Sequence, residues 1–114
     1  MKELRWLLQK ITGDKEKTII YLRLYYDLVI AYDHMNAKGY QRSFNYLAIV
    51  LNNTKEAMSG EEHYLGNIRS LVKEVHKDKA AIVRQLKKGS IDPLRVKTKL
   101  HFAQNICILR ILKA

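Results

Sequence analysis

The chain has 114 residues and sets 21 Lys and Arg against 11 Asp and Glu, a formal charge of +10. That length suits one domain, residues 1–114, and 47% hydrophobic content is too high for a disordered basic tail. One Pro and five Gly are too few for a turn-rich β-sandwich, and the lone Cys107 forms no internal disulfide, which points to a reducing, cytoplasmic setting.

Residues 1–12 place Leu4, Leu7, Leu8 and Ile11 on one narrow stripe of a short helix. Glu3, Arg5 and Lys10 interrupt it, so it does not read as a signal peptide. Gly13 ends this helix and Asp14 is placed to cap the next. Residues 15–38 are apolar on most sides, with a seam of Ile20, Leu24, Leu28, Ala31 and Met35 flanked by Tyr21, Tyr25 and Tyr32. Such a helix is expected to be central in its bundle. Arg23 and Asp27 keep it well short of the about 20 apolar residues a bilayer span requires. Lys38 and Gly39 give a last-turn cation and a stop.

The third helix is expected over residues 40–58, with Phe44, Leu47, Ala48, Leu51 and Met58 on its apolar face and Lys55 as the polar exception. Ser59 and Glu62 then have the spacing of a capping box. Residues 61–88 carry Leu65, Ile68, Val72, Val75, Lys79, Ile82 and Leu86 at alternating steps of three and four, the pattern of one continuous helix in a left-handed bundle. Gly89 stops it, and Asp92–Pro93 supplies an N-cap followed by proline at the first helical position. Residues 93–113 turn strongly apolar after Lys99, so the end of this helix is expected to be buried. The short connections make consecutive helices antiparallel. The expected fold is therefore all-α: a single up-down helical bundle of four long helices plus a short N-terminal helix.

Catalytic and metal patterns are sparse. None of His34, His63, His76 and His101 has Glu or Asp three positions before it, and no two are spaced four apart, so neither di-iron nor zincin chemistry is indicated. Cys107 lies in an apolar run and is expected to be a buried, inert thiol. No phosphate-cradling glycine loop or nucleophile elbow occurs. Arg69 precedes His76, and Arg95 precedes His101, at the loose spacing that one class of helical ribonucleases uses for phosphate binding and acid–base work. Seven Tyr against two Phe suit either a stacking or interface surface, or boundary positions with the ring inside and the hydroxyl out.

The charge is unevenly distributed. Residues 84–114 hold Arg84, Lys87, Lys88, Arg95, Lys97, Lys99, Arg110 and Lys113 against Asp92 alone, a net +7, whereas the rest of the chain is nearly balanced. Six of these cations bracket the turn at residues 89–93. On a helix Arg95 and Lys99 share one face, and Lys97 and His101 another; like charges one turn apart cost a few tenths of a kcal/mol each. Arg84, Lys87, Lys88, Arg95, Lys97 and Lys99 are thus the candidate contacts to nucleic-acid backbone, RNA or DNA. The same cations also suit a solvated, solubilising surface.

No major-groove reading helix, zinc finger, RNA-recognition motif or KH glycine loop is present, so strong sequence specificity is not expected. The leading expectation is a non-enzymatic small subunit of a multi-protein nucleoprotein assembly. Small helical subunits of CRISPR effector complexes offer an analogy at the level of fold only. A second reading is a helical adaptor, with the 65–86 seam available for dimerisation, meeting an acidic protein partner. A third is the metal-independent Arg/His ribonuclease. No cofactor, metal, membrane or small-molecule substrate is expected.

Overall fold

The computed structural model describes residues 15–57 and 63–113, and these fold entirely into helices and turns. The helices are α1 (Lys15–Asn36), α2 (Tyr40–Ala57), α3 (His63–His76), α4 (Lys79–Lys88) and α5 (Leu94–Lys113). The helix expected over residues 1–12 and the Ser59–Glu62 capping box lie outside the described residues.

The core follows from the helical spacing of the apolar residues. Leu24, Leu28 and Ala31 of α1 meet Phe44, Leu47 and Val50 of α2, Ile68 of α3, and Leu100, Ala103 and Cys107 of α5; all are fully buried. Each large apolar side chain so enclosed contributes about 1.5–3 kcal/mol relative to exposure. α1 packs against α2 and α5, while α3 packs against the same two helices, so the four surround one core. α4 leans on α2.

Buried polar groups tie the helices together. The Ser43 hydroxyl of α2 donates to the Ala31 carbonyl of α1 at 2.6 Å, and the Gln104 amide of α5 donates to the Leu28 carbonyl at 3.4 Å. Burial alone would make these groups costly; a hydrogen bond offsets that cost.

Four expectations are corrected. The helix expected over residues 61–88 breaks at Lys77–Asp78 into α3 and α4, without a glycine or proline at the break. A continuous helix would carry Lys79 into the seam. After the break Val83 and Leu86 are the buried residues of α4, and Lys79 sits at the boundary. Asp78 occupies the cap position with a non-helical backbone, and its carboxylate makes no capping bond.

Second, α1 is not surrounded: Ile19 and Tyr26 are exposed, and among the described residues α2 and α5 are its major neighbours. Third, the end of α5 is only half buried. Ile111 is buried, but Leu109 and Leu112 are 52% and 61% exposed; among the described residues the main neighbours of α5 are α1 and α3. Tyr21, expected at a boundary, is instead 1% exposed.

Candidate nucleic-acid interface

Two turns shape the basic region. At the end of α4, Gly89 adopts the left-handed conformation (φ 75°), its N–H donates to the Leu86 carbonyl, and the Ser90 N–H donates to the Gln85 carbonyl at 2.9 Å. This paired capping closes the helix and lets the chain reverse. Asp92 Oδ1 then accepts the Leu94 N–H at 2.9 Å, capping α5 as the Asp–Pro dipeptide anticipates. The only acidic residue within 84–114 therefore has its carboxylate engaged in folding the turn.

The α1–α2 turn differs from expectation in its left-handed residue. Lys38, not Gly39, has positive φ (64°), and Gly39 N–H donates to the His34 carbonyl at 2.8 Å. A residue bearing a Cβ is strained there by about 1–2 kcal/mol. The turn brings Lys38 and Tyr40 to the same open groove as Leu86, Lys87, Lys88 and the 89–93 turn, a space of about 750 Å³. Lys38, Lys87 and Lys88 are all exposed. Arg84, also exposed, lies one turn before Lys87 and Lys88 on the same helix and continues their face.

The other three candidate cations are placed apart from this groove. Arg95 and Lys99 line a cleft of about 260 Å³ between α3, α4 and α5 together with Glu74 and Asp78. Lys99 Nζ donates to Glu74 Oε1 at 2.8 Å. That hydrogen bond, with the Lys99 and Arg95 charges, holds the Glu74 carboxyl below its ordinary range. This cleft carries both signs of charge and is a poorer place for a phosphate than counting cations along the chain implies. Lys97 points elsewhere: its ammonium stands 5.7 Å from the Tyr32 ring centre, in a groove shared with Leu94, Thr98, His101 and Phe102. The helical-face reading of 95/99 against 97/101 thus matches the structure, and the two faces open into different surfaces.

The Arg/His pairs are not presented as catalytic couples. Arg69 Nη1 donates to the Leu51 carbonyl at 2.8 Å and to the Thr54 hydroxyl at 3.4 Å, bracing α3 on α2. His76 Nε2 is buried without a hydrogen-bond partner, and burial, with Lys79 nearby, lowers the imidazole pKa. Arg95 and His101 line separate clefts. Burial pushes the Cys107 thiol up to about 12, leaving it protonated at neutral pH. Among the described residues no three of His, Cys, Asp and Glu converge as a metal-binding group, and no helix is long and apolar enough to cross a membrane. The 65–86 seam turns inward: Leu65, Ile68, Val72, Val75 and Leu86 are buried in the chain's own core, so that seam is not free to pair with a second copy.

No family model, curated protein or solved structure matches this chain.

Proposed function

We propose that the chain is a non-enzymatic, up-down helical bundle that binds nucleic-acid backbone with little sequence preference, as a subunit of a multi-protein nucleoprotein assembly. The observation that carries this reading is the meeting of Lys38 with Lys87 and Lys88 in one open groove, although they lie far apart in the chain. Arg84 extends that edge. Among the described residues lining the groove, Asp92 is the one acidic group against these three lysines, and its Oδ1 is turned to the Leu94 N–H. Exposed cations converging on an open surface attract phosphates through charge and through release of condensed counterions.

Lys97 adds a further cation on the adjoining face of α5, whereas Arg95 and Lys99 contribute less because Glu74 and Asp78 share their cleft. The up-down path is supported by the meeting of the α1–α2 and α4–α5 turns on one groove, as alternating helices would place them if α3 and α4 run as one arm. Membership of an assembly rests on Leu109 and Leu112, more than half exposed at the other end of α5.

The test is binding measured by fluorescence anisotropy against oligonucleotides of unrelated sequence between 50 and 200 mM salt. Contacts from Lys38, Arg84, Lys87 and Lys88 give a log–log salt slope of about −2.8 on a single strand and about −3.6 on a duplex. Comparable affinity for unrelated sequences is expected. Affinity that does not respond to salt, or none at 50 mM, overturns the reading.

A further inference from the structure

The groove beside the lysine edge has a different chemistry. Tyr32 of α1 forms one wall, and Leu94, Lys97, His101 and Phe102 of α5 form the other. Phe102 and Leu94 are 57% and 59% exposed, an unusual outlay of apolar surface beside a strongly basic edge. Tyr32 and His101 approach with ring centres 6.5 Å apart and planes tilted by 50°. Among the described residues no acidic group lines this groove. Its volume, about 290 Å³, lies at the small end for ligand sites and suits one flat heterocycle better than a larger molecule.

Aromatic faces and a cation in one small groove favour an occupant that is both planar and anionic. Leu94 directly follows Asp92 and Pro93, which line the groove of Lys38, Lys87 and Lys88, so the two surfaces adjoin along the chain. A strand whose phosphates follow the lysine edge and continue along α5 would reach Phe102 about 12 Å, or two helical turns, beyond Leu94. In a duplex a base face is already covered by its stacked neighbours; in a single strand it is free.

We propose that this groove receives an unpaired base of single-stranded nucleic acid, stacked on Phe102 beside the Tyr32–His101 pair, with Lys97 on the neighbouring phosphate. The inference rests on the backbone-binding reading above and adds to it that the ligand is single-stranded.

The test compares wild type, Phe102→Ala and Phe102→Tyr on a single-stranded oligonucleotide, its duplex, and the same strand made abasic. Wild type should prefer the base-bearing single strand. Phe102→Ala should weaken that binding roughly 10-fold or more, as loss of one stacking platform does, while leaving the salt slope unchanged because no phosphate contact is removed. Phe102→Tyr should restore it, and the abasic strand should bind wild type as weakly as the intact strand binds Phe102→Ala. Phe102 is largely exposed, so neither substitution removes core packing, and a melting curve checks this. Equal affinity of wild type and Phe102→Ala, or equal affinity for intact and abasic strands, overturns base stacking. If binding nevertheless falls on reversing Lys38, Lys87 and Lys88, backbone binding stands without the stacking site. If wild type binds no strand at low salt, both fail.

Discussion

Lys38→Gly should make the protein more stable and a weaker ligand binder at once. Lys38 has φ 64° and an exposed side chain, so glycine relieves backbone strain and removes no core contact. The relief is about 1–2 kcal/mol. Glycine's greater freedom in the unfolded chain offsets about 0.5–1 kcal/mol of that, leaving a net gain of about 0.5–1 kcal/mol. For a chain of 114 residues, an unfolding entropy of about 2.1 cal/mol/K per residue converts the gain into a rise in Tm of about 2–4 °C. Lys38→Ala keeps the Cβ, hence the strain, and should melt close to wild type. For binding the two variants should behave alike. Each loses one phosphate contact, and the log–log salt slope becomes less negative by about 0.7 on a single strand. Thermal melting followed by circular dichroism, paired with salt-titrated anisotropy, separates the two effects. If the glycine and alanine variants melt together, the strain argument is wrong. If both bind as wild type does, Lys38 is not part of the interface.

Two further predictions concern buried titratable groups. Asp27 is 8% exposed with Oδ2 unpartnered, and desolvation raises its pKa above the ordinary 3.8 despite the opposing charge of Arg23. A carboxyl raised in the folded state destabilises the fold once pH exceeds the unfolded value. Asp27→Asn should therefore increase stability to urea at pH 7, with the gain shrinking as pH falls towards 3.8; a loss at pH 7 would show that the carboxylate has a stabilising partner. His76 behaves in the opposite sense: its pKa is lowered from 6.5 by burial and by Lys79, so folding is favoured above pH 6.5 and weakened as pH falls through the lower folded value. Urea midpoints should decline below pH 6.5 in wild type and decline less in His76→Gln; identical profiles would remove His76 as the cause.

Much of the architecture could be read from the sequence because apolar spacing and turn chemistry are local. Gly89, Asp92 and Pro93 specify their turn by backbone rules, and the structure places the cap and the left-handed residue where those rules put them. The break at Lys77–Asp78 carries no glycine or proline; Asp78, a residue type common at helix N-caps, is its one local sign. It arises from packing: keeping Lys79 out of the core rotates α4 so that Val83 becomes buried.

The basic site was legible only in part. Counting charge along residues 84–114 found Lys87 and Lys88, but a one-dimensional count cannot register Glu74 and Asp78 folding back against Arg95 and Lys99. It also overlooked Lys38, which reaches the same groove from another turn. Nothing marked Phe102: a phenylalanine in an apolar run reads as core until the neighbours of α5 are known.

The most direct measurement is salt-titrated binding of two triple variants with the same net charge. Lys38→Glu/Lys87→Glu/Lys88→Glu reverses the groove, while Lys55→Glu/Lys73→Glu/Lys77→Glu reverses three exposed lysines elsewhere. Removing three phosphate contacts should make the single-strand slope less negative by about 2, with most of the affinity lost, whereas the control should keep a slope close to that of wild type. Equal loss in both variants would contradict the account, because binding would then follow total charge and not the groove at the α4–α5 turn.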